Sequence, residues 1–296
     1  MRLASAIVDG HEEWVLMTAE GSIRGSRLAA AAGVQTGPQP MEWVLAGGPG
    51  RWETIAGWAH RAHQEGLQDP VRPTFLAPLP RPRNIICVGL NYRPHVAESS
   101  MEIPRSPVLF NKYSFAVVGD GAVVRPPQDS SQLDYEAELV VVMGRSASRV
   151  EQSRALDYVF GYCNGNDLSD RALQFRTGQW LLGKAGDGFG PIGPFITTRD
   201  EIADPGQLDI RCLRNGVEVQ HANTREMIFP IPFLIDYISR YITLQPGDLI
   251  FTGTPEGVIL GYPEDKRRWL SQGEEIVVAI EGLGRLVTTI GPRWPA

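Results

Sequence analysis

The sequence predicts an α+β fold dominated by β-strands, with a small N-terminal domain and a larger C-terminal one. Segments rich in β-branched and aromatic residues recur along the chain and outnumber those with a helical period. Asn215 and Gly216 separate two such segments, which is typical of a type I′ hairpin. The proline-dense residues 71–82 interrupt the pattern and are interpreted as a linker.

Residues 1–70 are predicted to form the small α+β domain. They contain strand-like segments at 3–8 and 13–18, followed by a helical segment at 52–65. Residues 83–296 carry the other strands, predicted at 84–88, 108–110, 137–142, 209–213, 249–251, 275–280 and 285–290. A 3.6-residue apolar period predicts a helix at 228–241 with two prolines in its first turn.

The composition excludes several classes of protein. With 296 residues, 43% of them hydrophobic, the chain can bury a large core. A net charge of −6 without a cluster of Lys or Arg argues against nucleic acid and anionic membranes as partners. No apolar run approaches the ~18 residues of a membrane span, and no secretory signal is seen, so a cytoplasmic location is expected. Three distant cysteines are expected to be reduced core residues.

Glu136 and Glu138 are candidate metal ligands, because they stand one residue apart before the apolar run 139–142. On a strand their carboxylates point to the same face, where they repel unless a cation lies between them. Asp167 ends another strand-like segment, 158–167, and is a candidate third ligand. Three carboxylates suit Mg²⁺ first, then Mn²⁺ or Ca²⁺. The alternative is an exposed strand face and a helix N-cap.

Two further clusters could supply a base and a substrate contact. Pro94 can begin a helix on which His95 and Glu98 share a face, so that the carboxylate orients the imidazole as a general base. A surface ion pair is the alternative. If a helix begins at Asp167, then Arg171 and Gln174 lie on the same stripe, facing the metal and able to hold a substrate carboxylate. An ordinary helical ion pair would give the same pattern.

Two loops rich in glycine complete the set of candidate motifs. The loop 183–194 contains five glycines and Lys184, which could stabilise an oxyanion or an enolate. The loop that follows the strand 249–251 carries Thr254, whose hydroxyl could bind a carboxylate. A plain connector and a structural β-turn are the respective alternatives.

Taken together and in this order, these motifs resemble the fumarylacetoacetate hydrolase family over roughly residues 83–292. The runs that carry the resemblance are GLNYRPHVAE, PVLFNK, DYEAELVVVMGR, GYCNGNDLSDRALQ, QWLLGKAGDGFGPIGP, the 220–229 run with NTREMIF, and LQPGDLIFTGTPEGV. Two departures concern substrate preference. Ala172 stands where the family often has an acidic residue, although Asp170 is a neighbouring charge, and Gly188 replaces a frequent Thr.

The resemblance implies a mixed β-roll catalytic domain, a homodimer, and a site with defined roles. The implied metal ligands for Mg²⁺ or Mn²⁺ are Glu136, Glu138 and Asp167. The implied catalytic residues are His95, Glu98 and Lys184. The implied substrate-binding residues are Arg171, Gln174 and Thr254, with Tyr92 and Asp187 of the same motifs as further candidates.

The expected activity is metal-dependent hydrolysis of a C–C bond in a small anionic 1,3-diketo acid, such as an acylpyruvate, fumarylpyruvate or a deoxy-sugar diketo acid. The same metal-enolate chemistry would support oxaloacetate decarboxylation or isomerisation of 2-hydroxyhepta-2,4-diene-1,7-dioate. A metal-stabilised binding protein that has lost catalysis is the alternative that is not an enzyme. The presence of His95, Glu98, Lys184 and the three carboxylates favours an enzyme.

Overall fold

Strands form most of the regular structure in the computed structural model, which describes residues 1–19, 21–67, 69, 74–98 and 102–295. The strands are β1 (Arg2–Val8), β2 (His11–Met17), β3 (Ser22–Arg24), β4 (Thr74–Phe75), β5 (Ile85–Gly89), β6 (Val108–Lys112), β7 (Val117–Val118), β8 (Ala122–Val124), β9 (Leu133–Asp134), β10 (Ala137–Met143), β11 (Val159–Asn166), β12 (Ser169–Asp170), β13 (Gly190–Thr198), β14 (Asp209–Arg214), β15 (Val217–Asn223), β16 (Leu249–Phe251), β17 (Glu275–Ile280) and β18 (Arg285–Ile290). The helices are α1 (Gly25–Ala31), α2 (Met41–Ala46), α3 (Gly48–Gln64), α4 (Arg93–Glu98), α5 (Arg171–Gln174), α6 (Leu181–Lys184) and α7 (Ile231–Ser239).

Most strands belong to one large mixed sheet. Its order is β3-β2-β1-β13-β11-β10-β16-β5-β6, with β4 paired to β1 and β7 paired to β13. The pairs β16–β5 and β13–β7 are parallel, whereas the others are antiparallel. A second sheet has the order β15-β14-β17-β18-β8, and β9 pairs with β12. The predicted α+β class dominated by strands is confirmed.

Strand β10 lies at the centre of the molecule and is buried on both faces. Leu139 and Val141 belong to the apolar cluster that the second sheet shares. Val140 and Val142 belong to the cluster on the other face, which the N-terminal helices cover. Since side chains alternate along a strand, Glu138 is in phase with Val140 and Val142. The strand therefore places a carboxylate on a fully buried face.

The N-terminal segment is built into the large sheet. Strand β1 pairs antiparallel with β13, and Leu3 and Trp14 share an apolar cluster with Phe251. The domain division at the linker 71–82 stays a prediction, and residues 71–73 of that linker lie outside the described residues.

Local predictions around β14, β15 and α7 can be compared directly. Asn215 and Gly216 have φ angles of 50° and 79°, as a type I′ turn requires, so the predicted hairpin is confirmed. The helix predicted at 228–241 is shorter, because Pro230 is extended before its first residue and it ends at Ser239. Among the described helices, none combines the length and the apolar character needed to cross a membrane.

Candidate active site

Glu136, Glu138 and Asp167 meet where β10 begins and β11 ends. Their carboxylate oxygens lie within 4.8 Å of one another. Because β10 and β11 are antiparallel neighbours, the start of one strand lies beside the end of the other. The amide of Asp167 donates to the carbonyl of Glu136 at 2.9 Å, which holds the two acidic segments together. All three residues are buried, with Asp167 fully inaccessible to solvent.

Three buried cations surround two of these carboxylates. Lys184 Nζ donates to Glu136 Oε2 at 2.7 Å and to Asp167 Oδ2 at 3.0 Å. Arg171 Nη1 lies 2.7 Å from Glu136 Oε1. Lys112 Nζ lies 2.5 Å from Asp167 Oδ1 and also donates to the carbonyl of Lys184. Glu136 and Asp167 are therefore each contacted by two cations.

Glu138 is different, because it makes no salt bridge with any described residue. Its Oε2 accepts a hydrogen bond from the amide of Gly253 at 2.7 Å. Burial, followed by the negative charges of Asp167 and Glu136, raises the pKa of Glu138 well above its ordinary value. Burial also opposes the ionisation of Glu136, but the charge of Lys184 helps to lower the pKa of Glu136 to about 2. The electrostatic repulsion among the three carboxylates therefore acts mainly on Glu138.

These residues fit a hard divalent cation. The cluster offers only carboxylate oxygens, which Mg²⁺ and Mn²⁺ prefer to softer ligands. A cation beside Glu138 would relieve the repulsion that burial makes costly. The carboxylates of Glu136, Glu138 and Asp167 would hold such an ion.

His95 and Glu98 form a hydrogen-bonded pair on α4. His95 Nδ1 and Glu98 Oε1 are 2.8 Å apart, and His95 is 6% exposed. Glu98 Oε2 accepts a hydrogen bond from the amide of Gly257 at 2.9 Å, which ties α4 to the loop after β16. With the carboxylate at Nδ1, the ring proton lies there and Nε2 is the basic nitrogen. Residues 99–101, which follow α4 in the sequence, lie outside the described residues.

The predicted helix that begins at Asp167 is wrong. Residues 169–170 instead form β12, which pairs with β9, and α5 begins only at Arg171. Asp170 caps this helix by accepting from the amide of Leu173 at 2.9 Å. Asp167 and Arg171 therefore meet as a strand end and a helix, not as neighbours on one helical stripe.

Asp134 orients Arg171, a role that the sequence patterns did not reveal. Its Oδ2 accepts from Arg171 Nε at 2.9 Å, and its two oxygens accept from the amides of Ile259 and Leu260. Arg171 Nη1 also donates to Gln174 Oε1 at 3.0 Å. Arg171 Nη2 is buried without a hydrogen-bond partner among the described residues. Arg171 Nη2 is thus a hydrogen-bond donor available to a ligand. The sequence signal that could have pointed to Asp134 is its position two residues before Glu136.

Gln220 is another buried residue that the sequence did not single out for the site. Its Nε2 donates to Thr254 Oγ1 at 3.0 Å and to the carbonyl of Pro255 at 2.9 Å. Its Oε1 accepts from the amide of Ala137 at 3.0 Å. Gln220 therefore connects the start of β10 to the loop that carries Thr254.

A cleft opens beside the carboxylates. Seven predicted site residues line it: His95, Glu136, Glu138, Arg171, Gln174, Lys184 and Thr254. Glu98 supports His95, and Asp167 lies beneath Lys184. Tyr92 and Asp187 do not line it, since Tyr92 is fully buried beside Met227 and Asp187 is exposed. A larger groove between α3 and β11 contains none of the predicted site residues.

Lys112→Met is expected to lower the free energy of unfolding by about 3–5 kcal/mol. The substitution removes one of the two cations that contact the buried Asp167 carboxylate. Denaturant unfolding followed by circular dichroism measures this change. Lys266 is exposed on the surface and supplies the control, Lys266→Met, which should change stability little. Equal stability of the two variants would show that the contact contributes nothing.

Comparison with known proteins identifies the family of the chain. The family model "Fumarylacetoacetate (FAA) hydrolase C-terminal" matches residues 84–291. Oxaloacetate tautomerase Fahd2a, mitochondrial, from Rattus norvegicus is 40% identical over 245 residues, which cover 81% of this chain and 77% of that protein.

Solved structures show the same fold at full length. Maleylpyruvate hydrolase from Sphingobium sp. SYK-6, in complex with manganese(II) and pyruvate, has a TM-score of 0.79 and 28% identity, covering 99% of this chain and 100% of that one. The 2-hydroxyhepta-2,4-diene-1,7-dioate isomerase from Mycobacterium marinum has a TM-score of 0.72 and 30% identity, covering 100% of both chains. The match spans the strands and loops that build the carboxylate cluster, so this chain belongs to the fumarylacetoacetate hydrolase family.

Proposed function

We propose that the protein is a metal-dependent hydrolase that cleaves a C–C bond in a 1,3-diketo acid of the acylpyruvate type. The observation that carries the proposal is the position of His95, which is paired with Glu98 and faces the same cleft as the carboxylate cluster. Hydrolysis requires a base that activates water beside a bound 2-oxo acid, and this pair has the geometry of such a base. The manganese and pyruvate in the maleylpyruvate hydrolase complex support the choice of metal and substrate class.

Each residue of the cleft has its own role in the proposed reaction. His95 Nε2 takes a proton from water as the water oxygen attacks the distal carbonyl, and Glu98 stabilises the resulting imidazolium. The C–C bond of the resulting adduct then breaks, and protonation of the departing enolate carbon completes the hydrolysis. Lys184 stabilises the negative charge that develops on the carbonyl oxygen. When bound, Mg²⁺ or Mn²⁺ supplies the positive charge that makes a pyruvate enolate an acceptable leaving group.

Substrate orientation is assigned to the side of the cleft formed by α5 and the loop after β16. The free Nη2 of Arg171 and the side chains of Gln174 and Thr254 lie there. They would bind the substrate carboxylate, and Asp134 and Gln220 would hold Arg171 and Thr254 in place. We also propose, from the family resemblance, that the protein is a homodimer.

Proton transfer without attack by water is the second candidate. The 40% identity with an oxaloacetate tautomerase favours it. In that reaction the same groups would move a proton on a 2-oxo acid and no C–C bond would break. Isomerisation of a hydroxydienedioate is a proton transfer of the same kind. Decarboxylation of oxaloacetate also needs no attack by water and is grouped with these alternatives, although it breaks a C–C bond and releases CO₂.

The test is turnover with and without metal. Purified protein is incubated with Mg²⁺, Mn²⁺ or EDTA and a panel of acylpyruvates, a deoxy-sugar diketo acid and oxaloacetate, with products assigned by NMR. We expect pyruvate and a carboxylic acid from an acylpyruvate, loss of activity in EDTA, and recovery when Mn²⁺ is added back. Tautomerisation or decarboxylation of oxaloacetate alone would support the second candidate. No turnover by the metal-bound protein would contradict both.

A further inference from the structure

The cleft has an apolar wall that the proposed chemistry does not use. This wall consists of Val88, Leu90, Phe175, Trp180 and Leu260. The indole of Trp180 packs edge-on against Phe110, with ring centroids 5.4 Å apart. It also covers Gly89, where a Cβ atom would come within 2.7 Å of the indole. The wall is therefore a fixed apolar surface next to the proposed 2-oxo acid position.

The positive charges of the cleft are already paired. Arg171 contacts Asp134 and Glu136, and Lys184 contacts Glu136 and Asp167. Among the described residues that line the cleft there is no further Lys or Arg. A carboxylate placed against the apolar wall would thus find no cation there.

We propose that the site selects 2-oxo acids that carry one carboxylate and an apolar substituent, and that it discriminates against those with a second, distal carboxylate. The proposal rests on the proposed function, because it assumes that the 2-oxo acid end lies at the carboxylate cluster. A distal carboxylate at the wall formed by Phe175 and Trp180 would lose its water without gaining a hydrogen-bonding or ionic partner, which is costly. An aliphatic or aromatic substituent gains from the same burial.

The test compares 2-oxohexanoate with 2-oxoadipate, which have six carbons each and differ in a terminal methyl or carboxylate. Their affinities for the Mn²⁺-loaded protein are measured by isothermal titration calorimetry, which requires no turnover. We expect the monoacid to bind about tenfold more tightly or better. Equal or tighter binding of the diacid would overturn the inference and leave the proposed function standing. Binding of Mn²⁺ but of neither acid would contradict the proposed function itself, and the inference with it.

A matched pair of variants locates the discriminating wall. Phe175 is 46% exposed at the cleft and Leu182 is 53% exposed outside its lining, so an arginine at either position should be tolerated. Phe175→Arg is expected to tighten binding of 2-oxoadipate by about fivefold by supplying the missing cation. Leu182→Arg is expected to leave both affinities unchanged. Unchanged selectivity in Phe175→Arg would overturn the assignment of this wall to the substituent.

Discussion

Glu138→Ala is expected to abolish the binding of Mg²⁺ or Mn²⁺, and turnover with it. Glu136 and Asp167 are largely neutralised by cations of the protein, whereas Glu138 has no such partner in the described part of the chain. The negative charge that most needs a cation is therefore the one at Glu138. Calorimetric titration with Mn²⁺ measures the loss directly, and the rise in melting temperature on adding Mn²⁺ should disappear as well.

This variant also has a stability readout. Removing a buried carboxylate that is repelled by Asp167 and Glu136 should not destabilise the metal-free protein, so its melting temperature should stay the same or rise. Glu275, an exposed residue of β17, gives the control Glu275→Ala, which should bind Mn²⁺ normally. Normal Mn²⁺ binding by Glu138→Ala would place the ion elsewhere.

His95→Ala is expected to reduce hydrolysis of an acylpyruvate by about 10²–10⁴-fold while Mn²⁺ binding is retained. The imidazole supplies the proposed base, but its Nδ1 is bonded to Glu98 and it takes no part in the carboxylate cluster. Steady-state kinetics gives kcat, and calorimetry on the same sample gives the Mn²⁺ affinity.

Two variants sharpen this experiment. Glu98→Gln keeps a hydrogen-bonding group near Nδ1 but removes the charge, so we expect a smaller loss in kcat than for His95→Ala. His63 on α3 is exposed, and His63→Ala should behave as the unmodified protein does. Full hydrolytic activity in His95→Ala would remove the general-base assignment. Loss of hydrolysis with retained tautomerisation of a 2-oxo acid would assign His95 to water activation alone.

The predictions from sequence were accurate where a pattern is local. Glu138 lies on β10 and Glu136 directly precedes the strand, yet their carboxylates meet at one site, as the two-residue period of an extended chain predicts. Asn215 and Gly216 have the φ angles that a tight hairpin requires. The prediction of a helix at Asp167 was wrong because a long-range contact prevailed. Residues 169–170 pair with β9, and this pairing delays the helix to Arg171.

The sequence by itself determined the β-rich class, the three acidic residues and the His95–Glu98 pair, because alternation and i,i+3 spacing act over a few residues. Only the tertiary structure decided which distant side chains complete the site. Lys112 contacts Asp167, which is 55 residues away in the sequence. Asp134 contacts Arg171, 37 residues away, and Gln220 contacts Ala137, 83 residues away. Such contacts depend on which strands become neighbours, and no local period encodes them. The sheet order, which brings β10 between β11 and β16, is what turns separate motifs into one cleft.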